Sequence, residues 1–286
     1  MKPYEWMVTY TPQTVWIERK GVLIWLSLYA GILGGGAYLA ALYFGNLRGM
    51  VLGWLIILVI KGGLHVAHAR RPSRLWRMML RPQTSWISRG LILTLLFIGF
   101  GALQIALSLW QAGSGADTLF KILAGACAFG VIIYTGFTLS YVCGIPFWNS
   151  ALLPVLFLLW SLLTGLALVT ILDRSADMRA ATEAILVLLV VSVFFVVAYL
   201  SVASRGEPAV RESASAMIKG RLAPVLFIGV ILIGTVIPLV ISFSGYRIGI
   251  LSWLSSLVLV VCIILGGLSL TYAMLKAGLY SPLPAR

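Results

Sequence analysis

Charge is scarce in this chain. Only 10% of its 286 residues are Asp, Glu, Lys or Arg, the acids number 8, and histidine occurs twice. A soluble domain of this size carries about a quarter charged residues, so a soluble globular fold is excluded. Cysteine occurs three times, at Cys127, Cys143 and Cys262, and never as a CxxC pair. The chain therefore lacks the thiolate set for an iron–sulfur cluster of its own. His65 and His68 are three apart and share one helical face, whereas the axial ligands of a haem approach from opposite sides of the ring. Bis-histidine haem b within the chain is excluded, which leaves only a His/Met pair as a formal route to haem. Paired intramembrane acids and broken helices, the marks of an ion-coupled transporter, are also missing.

What remains is apolar. Hydrophobic residues make up 61% of the chain and the mean hydropathy is +1.04. At about 20 apolar residues per crossing, the expected fold is an all-α integral membrane protein with eight spans at 22–44, 50–68, 90–110, 120–143, 150–172, 181–203, 223–243 and 250–275. The polar opening MKPYEWMVTYTPQTVWIERKG and the long apolar run after it do not read as a removable targeting segment.

An even number of spans puts both termini on one side, here called side A, together with connections 69–89, 144–149 and 204–222. Side A then holds 15 Lys and Arg: three before the first span, six from Arg70 to Arg89, four from Arg205 to Arg221, then Lys276 and Arg286. Side B holds five, Arg48, Lys121, Arg174, Arg179 and Arg247. The positive-inside rule places side A, and the termini, in the cytoplasm. The formal charge of +13 flanks apolar spans instead of forming a soluble basic face. Lipid headgroups and a docked protein are the expected counter-charges, not nucleic acid.

Polar residues within the spans mark candidate chemistry. Lys61 is costly in hydrocarbon and must either snorkel toward side A or find a partner, as it would in proton movement. Each of His65 and His68 can donate and accept a hydrogen bond and titrates near neutrality, which suits a redox-coupled proton carrier. Gly31, Gly34, Gly35 and Gly36 in the first span allow a close helix crossing or leave room for a flat ring. Pro154, Pro224 and Pro238 are tolerated in a first turn and would kink a helix deeper in. The stretch HVAHARRPSRLWRMMLRPQTSWISRG, residues 65–90, concentrates both histidines and six arginines. Pro72 and Pro82 punctuate it and Trp76 and Trp86 suit an interface, so Arg71, Arg74, Arg77 and Arg81 project from a short ordered connection. Their forked donors fit carboxylates on a docking protein or lipid phosphates.

HARRPSRLW and RPQTSWISRG resemble two sequence blocks of the polysulfide reductase membrane-subunit (PsrC-like) family, also called the NrfD family. His68, Arg71, Pro72, Arg74 and Trp76 match the first block, and Thr84, Ser85, Trp86, Arg89 and Gly90 the second. YTGFTLS, residues 134–140, and PFWNSALLPVLFLLWSLLTG, residues 146–165, resemble the fourth-helix motif and the fifth helix. Arg70 stands where the family has a small glycine, which would alter the turn.

The resemblance implies the membrane anchor of a respiratory oxidoreductase in a prokaryotic inner (cytoplasmic) membrane, exchanging electrons between a quinone pool and a docked four-cluster ferredoxin-like iron–sulfur subunit. That partner would serve a molybdenum or tungsten bis-pterin catalytic subunit or a multihaem cytochrome. The implied organisation is an interfacial segment 1–21, a four-helix quinone-binding bundle 22–143, a second bundle 144–275 and a tail 276–286. His68 and Tyr134 are the leading quinone contacts, menaquinone slightly ahead of ubiquinone; Glu18, Lys61, His65 and Tyr141 are secondary candidates. Arg71, Arg74, Arg77 and Arg81 are the candidate docking residues, and no metal site is expected in the chain. Family members dock partners on either side of the membrane, so orientation stays open on this ground. The rival readings are a polytopic transporter or permease, and a structural anchor without its own quinone site.

Overall fold

The computed structural model describes residues 9–69, 71–172, 178–248 and 251–281. Arg70 lies outside them, as do Lys2, Arg174 and Arg286 of the charge count.

Eight helices have the length and apolarity to cross a membrane: Gly21–Tyr43, Leu47–His68, Trp86–Trp110, Gly115–Ser140, Leu152–Leu172, Arg179–Ala203, Val225–Ile248 and Trp253–Lys276. Several begin away from the point where hydropathy rises, because polar caps fix them. The Ser85 hydroxyl accepts from Ser88 N, so the third span starts at Trp86 instead of 90. Ser114 accepts from Asp117 N and starts the fourth span at Gly115 instead of 120, and Ser252 holds the eighth to Trp253 instead of 250. Each cap satisfies an orphan backbone donor that hydropathy does not register.

The spans pack in two groups of four. In the first group the first span contacts the second and fourth, and the third contacts the second and fourth. In the second group the fifth contacts the sixth and eighth, and the seventh contacts the sixth and eighth. The groups join mainly along the first and fifth spans. There the backbones nearly touch: a Cβ on Gly36 would lie 1.8 Å from Ser161 O, and one on Gly165 would lie 2.0 Å from Gly36 O. The Ser161 hydroxyl donates to Ile32 O at 2.7 Å across the same crossing. The first-span glycines therefore serve helix approach. Large apolar side chains such as Val187, Val190, Phe194 and Phe243 remain exposed on outer faces, as a lipid-contacting surface requires.

At one end of the molecule the flanking segments interlock. Gln13 N donates to Gly278 O and Tyr280 N to Thr11 O, both at 2.9 Å, and Ser281 N donates to Gly144 O at 3.0 Å. The Gln13 carboxamide, fully buried, donates to Leu275 O at 2.6 Å. The connection after the second span forms a 3-10 helix over Pro72–Leu80, and an amphipathic helix, Pro208–Ile218, follows the sixth span.

Candidate functional site

The second span is not a uniform α-helix. It runs as α-helix over Leu47–Leu55, as a π-helical turn over Ile56–Lys61 and as α-helix again over Gly62–His68. Its contacts with the antiparallel first span advance in steps of four: Gly53 and Ile57 against Gly34, Lys61 against Gly31, His65 against Ser27. In an α-helix residues four apart drift by about 40° per step, since each turn takes 3.6 residues. The wider π turn absorbs that drift and keeps Lys61 and His65 on the line facing the first span.

Lys61 is 2% exposed, so it does not snorkel. Its ammonium donates to the Tyr134 hydroxyl at 2.6 Å and lies 5.0 Å from the centre of that ring. Its stem packs over Gly31, where a Cβ would come within 3.2 Å of Nζ. Among the described residues no carboxylate pairs with Lys61. Tyr134, 5% exposed, accepts from Lys61, and among the described residues nothing accepts its own hydroxyl hydrogen. The arrangement is thus a buried cation and a buried phenol with donors to spare.

His65 lies one turn from Lys61, half-buried. Its Nδ1 meets both the Ser27 hydroxyl and Lys61 O, the latter at 3.2 Å. His68, also half-buried, meets Lys20 O through Nδ1 at 3.0 Å. A carbonyl only accepts, which assigns the hydrogen to Nδ1 in both rings and leaves each neutral Nε2 as a proton acceptor.

The sequence blocks of the third and fourth spans zip together beside this pair. Gly90 supports the Tyr134 ring so closely that a Cβ would lie 2.1 Å from Cδ2. Trp86 stacks on Phe137 with centroids 4.4 Å apart and planes at 9°. The Arg89 guanidinium sits 4.6 Å over Trp86 and donates to Pro82 O and Gln83 O, both at 2.7 Å, which ties the connection to the third span.

Two candidates stand apart from Lys61 and Tyr134. Tyr141 follows the end of the fourth span, is 63% exposed and leans on Trp86 at 5.6 Å. The Glu18 carboxylate pairs with Lys276, and the hydrogen bond from that lysine lowers its pKa below the ordinary carboxylate value. Arg71, Arg74, Arg77 and Arg81 are all exposed on the 3-10 connection and its flanks, and none is in an ion pair among the described residues.

A polar network at the opposite end of the first four spans was not anticipated. Tyr38 OH donates to Gln104 Oε1 at 2.8 Å, Gln104 Nε2 to Ser108 Oγ at 2.8 Å, and Ser108 Oγ to Asp117 Oδ1 at 2.5 Å. Gly113 N and Lys121 Nζ complete the shell of Asp117 Oδ2, at 3.0 and 2.7 Å. Tyr38, Gln104 and Asp117 are fully buried. The signal was present in SGADTLFK, where Ser114-x-x-Asp117 caps a helix and Lys121 follows at i+4. Ser27, an ordinary serine in an apolar run, carried no comparable signal.

The fold thus defines an eight-span membrane protein with a buried lysine–tyrosine pair in its first four helices and a basic connection beyond them. The chain matches the family model described as Polysulphide reductase, NrfD, over residues 10–282, and it belongs to that family. It is also similar to a membrane-family relative named as a tetrathionate reductase subunit, from Salmonella typhimurium (strain LT2), with 30% identity over 118 residues, which is 40% of this chain. The matched stretch spans 35% of that relative's length.

Proposed function

We propose that this chain is the quinone-interacting membrane subunit of a multisubunit respiratory oxidoreductase, exchanging electrons with a docked iron–sulfur subunit. The observation that carries the reading is the Lys61–Tyr134 pair. A buried ammonium without a carboxylate and a phenol hydrogen without an acceptor are together incomplete, and a carbonyl oxygen of a quinone is the acceptor that completes them. The family membership and the relative's name as part of a reductase support the same class.

A bound quinone would supply the two-electron, two-proton couple, with menaquinone slightly favoured over ubiquinone. The chain's part is to orient and to manage charge. Tyr134 donates a hydrogen bond to a ring oxygen, and Gly90 fixes the plane from which it does so. Lys61 holds Tyr134 in place and offsets negative charge that develops beside it in a site shielded from water. His65 and His68, each with Nε2 available, exchange protons between this pair and the surface.

Arg71, Arg74, Arg77 and Arg81 form the surface that receives acidic groups of the iron–sulfur subunit, which in turn serves a bis-pterin molybdenum or tungsten subunit or a multihaem cytochrome. With an even number of spans and the interlocked flanks, both termini share the face that bears these arginines. The balance of basic residues favours the cytoplasm for it.

The reading is tested by quinone binding to the assembled complex. Native complex should retain menaquinone through purification, and a Tyr134→Phe complex with all its polypeptides present should lose most of it. Equal retention by both would remove Tyr134 from the site.

A further inference from the structure

Beyond that site, the second group of spans carries a groove for which the first group's chemistry has no use. It has a volume of about 400 Å³ and lies between the sixth and seventh spans, lined by Val196, Val197, Leu200, Leu226, Phe227 and Ile231. The sixth span packs mainly on the Ile237–Ile248 half of the seventh and only sparsely on its π-helical half, Val225–Val236. The two helices therefore part toward the end where the sixth span finishes at Ala203, and Ile218 of the amphipathic helix closes the opening there. Val196, Leu200 and Leu226 form a buried floor at 3%, 7% and 3% exposure, while Val197 and Phe227 form an exposed rim.

At the mouth stand Ser201, Ser204 and Arg205. Arg205 is exposed, two residues beyond the end of the span, at the depth where headgroups meet the helix ends. Among the described residues it forms no ion pair, with Glu207, Glu212 or any other acid. A dry apolar channel that ends in an unpaired guanidinium and two hydroxyls has the shape and charge of a phospholipid turned inside out. We propose that the groove binds an anionic phospholipid, one acyl chain against Leu200 and Leu226 and the phosphate at Arg205.

The alternatives fit less well. A transmembrane helix, about 10 Å wide and about 30 Å long, displaces several times the volume of the groove. A quinone tail would bring a neutral ring, not an anion, to Arg205, and on the other four-span group from Lys61 and Tyr134.

The test titrates the full chain in mild detergent with phosphatidylglycerol or with phosphatidylethanolamine and counts bound lipid by native mass spectrometry. Wild type should hold phosphatidylglycerol in preference to phosphatidylethanolamine. Arg205→Gln should weaken phosphatidylglycerol binding about fivefold, the worth of one basic residue near the headgroups, and leave phosphatidylethanolamine unchanged. Val197→Trp, on the exposed rim, should fill the groove and weaken both. Equal binding of the two lipids by wild type, or phosphatidylglycerol binding that survives both substitutions, overturns the proposal.

Discussion

Lys61 Nζ and Tyr134 OH lie 2.6 Å apart, a cation from the second span held against a phenol from the fourth, with both side chains withdrawn from the surface. Burying an ammonium against a neutral partner costs stability. A similarly sized apolar side chain would pack there without that cost, so the lysine is retained for chemistry. Lys61→Met should leave thermal stability in detergent unchanged or raised, and should lower quinol-linked turnover at least tenfold. A large loss of stability with turnover intact would make Lys61 a structural residue.

Gly90 has no room for a side chain, because a Cβ would overlap the Tyr134 ring at 2.1 Å. Gly90→Ala should cost about 1–3 kcal/mol through overpacking and push the ring away from Lys61. Its quinol kinetics should then resemble those of Tyr134→Phe. A chemical unfolding curve identical to wild type would show that the third and fourth spans do not meet here.

The exposed arginines make a separable prediction. Reversing Arg71, Arg74, Arg77 and Arg81 together to Glu should release the iron–sulfur subunit while this chain still inserts in the membrane. Co-purification at equal expression measures it. Full retention of the partner would assign these residues to lipid headgroups.

Asp117 accepts from Ser108, Gly113 and Lys121 at the end of the four-span group away from His68. Asp117→Asn should destabilise the protein by about 1–3 kcal/mol, the cost of impairing a buried hydrogen-bonded charge, with quinol kinetics preserved. Thermal melting in detergent and turnover of the surviving complex read the two effects. Lost turnover at full stability would shift function to this end.

The eight spans were legible because a run of about 20 apolar residues has few other uses, and their starts were less so because Ser85, Ser114 and Ser252 set them by capping. The sequence blocks around Trp86, Gly90 and Tyr134 pointed to one another, and the fold brings them into contact. Lys61 was visible as an anomaly, but whether it snorkelled depended on the π turn at Ile56–Lys61, which apolar periodicity does not reveal. The grouping of the candidates was not legible either. Glu18 turns to Lys276 and Tyr141 to the surface, pairings made by residues distant in the chain. Asp117, Gln104 and Tyr38 read singly as an end charge and two polar residues, and only the fold joins them.

The central claim is that the Tyr134 hydroxyl serves quinone chemistry. Its most direct test is the rate of electron transfer in a Tyr134→Phe complex shown to hold all its polypeptides, measured once with quinol as donor and once with an artificial donor entering at the iron–sulfur protein. The expected result is a loss of at least tenfold with quinol and a wild-type rate with the artificial donor. A wild-type rate with quinol would contradict the claim.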